Sequence, residues 1–390
     1  MDAPSANVSL SRLERLPAEL LIKILRFSPD LSALHSLLLA SPAITHVFLQ
    51  AARDITGAVI SASLPLPTQA AVGAVVRIRA SAHDCRSAAD VTVLAQENDP
   101  RPLPSAAPPA LLRRFVALAH ELHVLAHACL QNYIDRCLTL RPARLKDPNF
   151  HYPATGTAWL ARPEGEPYDV PAQQPPSWIE EQRVLRDMWL AQVFYETQLA
   201  RLQGRLRWTE GEVAVLEGLS VVDFCDLSGY RREQMLTVVE FLDRRSCCCE
   251  RRARSPPAFR MPRPPAAEGN YHVVCSPEPI FASSKEDKWG QGRAHLERPP
   301  MAWLFHRQLA ADWKSPVRCI TFEPYRGYGF AIWDHKRLVH LGFFRENKAR
   351  ALMEPSGLYF TWRSILTDEE IEAARRAYEA AEPSPIRYPG

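Results

Sequence analysis

The 390-residue sequence is poor in glycine, with 16 against 34 prolines, so its breaks fall at stiff, extended segments. It lacks any uninterrupted apolar run near the ~20 residues that a membrane-spanning helix requires, which predicts no integral membrane segment. It also lacks a dominant charge. The 47 basic and 44 acidic side chains leave a formal charge of +3, too small a surplus to predict a nucleic-acid or membrane-surface partner. Paired C-x-x-C spacing is missing, and the nine cysteines are odd in number. That argues against a disulfide framework or a zinc ribbon and predicts reduced thiols in the cytoplasm, the nucleus or both. Nothing basic precedes Arg12, and Lys23 splits the apolar run behind it, so the start does not read as a secretory signal.

Catalytic signatures are scarce as well. There is no G-x-S-x-G elbow and no G-x-x-x-x-G-K-[ST] loop. Gly327-Tyr328-Gly329 and Gly290-Gln291-Gly292 lack the third glycine of a dinucleotide fingerprint and read as turns. No cofactor is predicted.

What is present is ordinary soluble-protein composition, 46% hydrophobic and 23% charged, in a chain long enough for two or three domains. Proline-rich stretches at 100–109, 163–176 and 244–265 punctuate it. Between them the pattern is helical. Ser177 with Glu180, Thr209 with Glu212 and Thr367 with Glu370 match capping boxes. Leu111, Phe115, Leu118, Leu122, Leu125 and Cys129 recur at helical spacing, as do Leu185, Met188, Trp189, Leu199, Leu202 and Leu206. Near the C-terminus Asp334 can cap a short helix, with Trp333 and Leu338 as its staple and Gly342 closing it; Trp333 reads as a packing anchor.

The most informative stretch is LPAELLIKILRF, Leu16 to Phe27. On a helical wheel Glu19, Lys23 and Arg26 fall within about 60 degrees, leaving an apolar arc of roughly 220 degrees, about twice what one core requires. Such a helix is either buried on most sides or serves its own core and a partner. Behind it, Ser28-Pro29 and Ser41-Pro42 both read as helix starts. The first is followed by Leu31, Leu34, Leu37 and Leu38, the second by Ile44, Val47, Phe48 and Ala51. Three short helices in about forty residues bury little area alone, so the segment needs a neighbour.

Leu16-Pro17-Ala18-Glu19-Leu20-Leu21, Ile24-Leu25, the leucines at 31, 34 and 37, Ser41 and Phe48 resemble an F-box, a compact three-helix motif opening with L-P-x-E. The resemblance covers about a tenth of the chain. Two positions depart from it: Pro42 stands where many members have a basic residue, and Phe48 where many have Trp. SWIEEQRVLRDMW and GYGFAIWDHKRLVHLGFF are also similar to fungal F-box-like proteins. The resemblance implies a non-catalytic substrate receptor that docks the Skp-family adaptor, and through it a cullin, in an SCF-type ubiquitin ligase, while the rest of the chain binds a target protein. It assigns the docking face to Leu16, Pro17, Leu20, Leu21, Ile24 and Leu25, with Leu31, Leu34 and Leu37 shared between core and partner.

Two other readings stand beside it: a helical scaffold whose F-box-like segment belongs to its own core, and a metal-dependent enzyme. The last rests on His120, His123 and His127, spaced three and four apart on one helical face, which could hold zinc. They are not H-E-x-x-H, and the wheel sets them opposite the leucines as a polar outer face. The run from Arg244 to Arg263 holds seven arginines against Glu250 alone, interleaved with Cys247, Cys248 and Cys249, and reads as a solvated linker.

The expected fold is mainly α: a three-helix module at 1–55, a connecting segment with a proline-rich linker at 56–110 and a helical body at 111–243. A basic linker follows at 244–268, then a C-terminal helical region with short irregular elements at 269–390.

Overall fold

The structure is a computed structural model that describes residues 11–96, 101–153, 158–250, 261–262, 298–344 and 356–381, without the side chains of 246–250. It is mainly helical, as expected. The N-terminal helices are α1 (Ala18–Arg26), α2 (Leu31–Ala40), α3 (Pro42–Gln50), α4 (Ala52–Ser63), α5 (Leu66–Ser81) and α6 (Ala88–Gln96). Two long helices, α7 (Pro109–Leu138) and α8 (Trp178–Leu202), form the body with α9 (Glu210–Gly218), α10 (Val221–Phe224) and α11 (Gly229–Glu250). The C-terminal part holds α12 (Met301–Ala311), α13 (Glu323–Arg326), α14 (His335–His340), α15 (Ser356–Arg363) and α16 (Asp368–Ala381). Strands β1 (Ala143–Leu145) and β2 (Gly165–Pro167) pair antiparallel, with Arg144 opposite Glu166.

The start signals act unequally. Ser41 caps α3, accepting from the Ile44 amide at 3.2 Å, with Pro42 in the first turn. At α2 the cap is Asp30, not Ser28: its carboxylate accepts from the Ala33 amide at 2.7 Å, and the buried Ser28 hydroxyl lacks a hydrogen bond. An ionised acceptor satisfies an orphan amide more strongly than a hydroxyl does. The boxes at Ser177 and Thr367 close reciprocally, whereas at Thr209 only the Glu212 amide bonds back to the hydroxyl. Asp334 caps α14, and Gly342 closes it at a φ of 86°, a left-handed conformation that glycine adopts without strain.

Three expectations are corrected. Residues 56–110 do more than connect, because α4, α5 and α6 fill most of that stretch. The valines and most of the alanines of α5 are buried, together with Thr68 and Gln69, which leaves no one-sided apolar stripe to advertise the helix. The stretch 163–176 carries β2, and α11 runs through the start of the supposed basic linker to Glu250. The rest of that linker, like Gly290-Gln291-Gly292, lies outside the described residues apart from 261–262.

One apolar cluster runs from Leu25 to Ala374, across the boundaries expected at 55 and 110. Helix α2 packs on α3, α4 and α7, and α7 and α5 pack on α8. In the C-terminal part Trp362 is wholly buried among Phe305, Tyr325, Phe330, Phe343 and Phe344, and its indole donates to the Phe343 carbonyl at 3.1 Å. Trp333 is buried too, donating to the Tyr328 carbonyl at 2.8 Å.

Helix α8 is the axle of the fold, and most of its polar side chains are buried. Six of them reach out to other parts of the fold. Glu196 meets Arg79 of α5, and Glu181 meets His127 of α7. Gln198 donates to the Leu216 carbonyl of α9, and Arg186 donates to Gln234 of α11. Arg183 donates to the Ile332 carbonyl at 2.6 Å. Glu180 accepts from two nitrogens of Arg337 on α14, at 2.9 and 2.7 Å. Burial pulls Arg183 down to about 10, against the opposing pull of Glu180. Burial also pushes the Glu180 carboxyl up from its ordinary range, and the Arg337 guanidinium works against that push.

Candidate functional site

Two places bear on the functional readings drawn from the sequence. The first is the outer face of α1. Leu20 is 46% exposed, Ile24 39% and Phe27 85%, at positions i, i+4 and i+7 of one stripe, and Pro17 is exposed just before the helix. Such spacing stacks the side chains along one side of the helix. Leu21 and Leu25 point the other way into the core, on α3 and α4. Phe27 ends the helix with its amide on carbonyls of the last turn, so its side chain projects beyond it.

The docking face read from the sequence therefore divides. Pro17, Leu20 and Ile24 are open, and Leu16 and Leu37 are half-buried. Leu21, Leu25, Leu31 and Leu34 are all buried at 5% exposure or less and hold the chain's own core. The reason is the neighbour: α7 covers α2, so the leucines of α2 are spent internally. Phe27, absent from the face read from the sequence, is its most exposed large apolar residue. Its distance of seven from Leu20 was the available signal. The strap before α1 is tied down: the Ser41 hydroxyl donates to Glu14, and Glu14 accepts from the Ser11 amide at 2.7 Å. These bonds, with Ser41 first, hold the Glu14 carboxyl below its usual range.

The second place is the histidine face of α7. The wheel makes it a polar outer face; instead it turns inward, because α7 is enclosed by α2, α3, α4, α5 and α8. Leu112, Val116 and Ala119 are buried, while Leu111 and Leu118 are only partly so. His120 bonds the Ser32 hydroxyl of α2 through Nδ1 at 2.7 Å and stacks on His35, with ring centroids 4.6 Å apart. Further along α7, the His127 Nε2 lies 2.7 Å from Oε1 of Glu181 on α8, and His123 Nδ1 lies 4.0 Å from the same oxygen. The rings of His123 and His127 are 4.3 Å apart. His127 is buried, and the His123 side chain keeps 28% of its exposure. Burial pushes His123 below the usual imidazole range, as does His127, with Glu181 pulling upward. His120, read with the other two as a possible ligand, turns to Ser32, and Glu181 takes its place. Local spacing along one helix carried no sign of Glu181, which a second helix supplies.

The thiols are quiet. Cys85, Cys129, Cys137, Cys225 and Cys319 are free, and burial pushes Cys137 and Cys225 up to about 12. Such thiols carry almost no thiolate at neutral pH. The side chains of Cys247, Cys248 and Cys249 lie outside the described residues. Among the described residues no helix is long and apolar enough to cross a membrane. No family model matches the chain, nor does any curated protein or solved structure.

Proposed function

We propose that this chain is a substrate receptor of a cullin-RING ubiquitin ligase, docking the Skp-family adaptor through the outer face of α1. The observation that carries the proposal is the division of α1: Leu21 and Leu25 anchor it inward while Leu20, Ile24 and Phe27 face solvent. An apolar stripe held outward on a well-anchored helix is a docking surface rather than an unfinished core. The F-box-like sequence supplies the partner's identity. The chain acts by proximity, raising the effective concentration of a bound target near the ligase's catalytic subunits. No residue of this chain takes part in the transfer.

Co-expression with the adaptor tests the reading. Wild-type chain should retain it, and the pair Leu20→Asp with Ile24→Asp should lose it at unchanged helix content. A wild-type chain that fails to retain the adaptor overturns the reading.

A second reading, a helical interaction protein without a ligase role, is favoured by the packing of α2 on α7. Under it the stripe holds another protein. Deleting residues 1–52 does not separate the two, because removing Leu34 and Phe48 opens the shared core either way. Substitutions confined to the stripe do.

A further inference from the structure

We propose that His123, His127 and Glu181 form a binding site for a divalent transition metal of the zinc class, bridging α7 and α8. The three residues offer two imidazoles and one carboxylate, and their donor atoms all lie within 4.8 Å of one another. Zinc bonds of ~2.0–2.1 Å at a tetrahedral centre place neighbouring donors ~3.3 Å apart. The separations from Glu181 Oε1, 2.7 Å to His127 and 4.0 Å to His123, straddle that value. Seating an ion asks the donors to shift from separations of at most 4.8 Å toward that value by side-chain torsion.

The helices make the site. A spacing of four residues stacks His123 and His127 on one side of α7. Glu181 sits in the first turn of α8, held by the capping box at Ser177, and Glu180 beside it is pinned by Arg337, which fixes where the turn points its second carboxylate. Binding replaces the hydrogen bond between His127 and Glu181 with bonds from both groups to the ion. Three protein ligands leave a fourth position for water, reached from solvent past the partly exposed His123. Imidazole and carboxylate donors suit zinc, cobalt and nickel and disfavour magnesium and calcium, which take oxygen ligands.

The test uses the full chain, stripped with chelator and titrated with Co²⁺ and with Zn²⁺. The expected results are one ion per chain, a visible Co²⁺ spectrum of low-coordinate type, and a Zn²⁺-dependent rise in the thermal midpoint. His123→Ala and Glu181→Gln should each weaken binding by at least about tenfold. Glu181→Gln keeps an acceptor for His127, and His123 is partly exposed, so both variants should fold; circular dichroism checks this. A wild-type chain without a Co²⁺ spectrum overturns the proposal whether or not the variants fold. Binding that persists unchanged in both variants also overturns it, because the ion then sits on other histidines.

Discussion

Helices α1 and α8 invert each other's chemistry. The short one holds Leu20, Ile24 and Phe27 out in water; the long one holds Glu180, Arg183, Arg186 and Asp187 away from it. Each arrangement is costly by itself, at roughly 25 cal/mol per Å² of apolar surface left wet or several kcal/mol per buried ion. The difference lies in who compensates. Every charged spoke of α8 meets a partner within this chain, so its cost is offset internally and its yield is a fixed arrangement of α5, α7, α11 and α14. The stripe of α1 is left largely open by the described residues, so under the proposed function its compensation comes from another molecule.

The comparison breaks first at Glu180. Glu180→Ala strips Arg337 of both charge-assisted bonds and leaves a guanidinium buried, with an expected loss of about 3–5 kcal/mol in denaturant unfolding. Replacing Glu180 with Leu and Arg337 with Met together should recover most of it, because the burial cost leaves with the charges. If the double substitution is no better than the single one, the buried pair stabilises the fold in its own right.

The two faces of α1 supply the next test. Leu25→Ala opens a cavity at a site 1% exposed and should cost about 2–5 kcal/mol, whereas Ile24→Ala, one residue away and 39% exposed, should cost less than about 1 kcal/mol. Equal costs would mean that α1 is enclosed on both sides, and the stripe would lose its claim to a partner.

These contrasts also mark what the sequence could tell. The helical period of α1, the Ser41-Pro42 start, the Ser177 box and the Asp334 cap were all legible, because capping and periodicity act over a single turn, whereas the division of α1 into an inner face at Leu21 and Leu25 and an outer one was not. The buried charges of α8 were not: WIEEQRVLRDMW reads as an amphipathic helix until α5, α7, α11 and α14 close around it. Asp30 displaced Ser28 as a cap because two acceptors lay within two residues and the charged one prevailed. Glu181 joined His123 and His127 through the pairing of two helices, which leaves no trace in local spacing. The inward turn of the histidines was hidden for the same reason.

A smaller effect comes from His306 on α12. Burial holds it below the usual imidazole range, with weaker opposition from its bond to the Ile320 carbonyl at 3.0 Å, and the Phe322 and Tyr325 rings enclose it. The folded state thus favours neutral imidazole, so stability is full above the unfolded value near ~6.5 and falls as pH drops toward the folded one. The slope cannot exceed about 1.4 kcal/mol per pH unit for this group. Thermal midpoints between pH 7.5 and 5 should fall with acid, and His306→Gln should flatten part of that decline. His35 is shifted in the same direction and supplies another part. An unchanged slope would mean that His306 ionises without disturbing the C-terminal core.

The smallest effect on stability, and the sharpest on the comparison, belongs to Phe27. Its ring is 85% exposed, so Phe27→Ser should change the unfolding free energy by no more than about 0.5 kcal/mol. If the stripe is a docking surface, a large aromatic at its end is the residue type that most often anchors an interface, and its loss should weaken adaptor retention by about fivefold or more, equivalent to about 1 kcal/mol. Stability and binding then separate within a single side chain, which none of the buried charges of α8 allows, because there the partner is the protein itself. An unchanged retention by Phe27→Ser would confine the docking surface to Leu20 and Ile24. A loss of stability instead would mean that the ring packs against this chain, and the opposition between α1 and α8 would narrow to two residues.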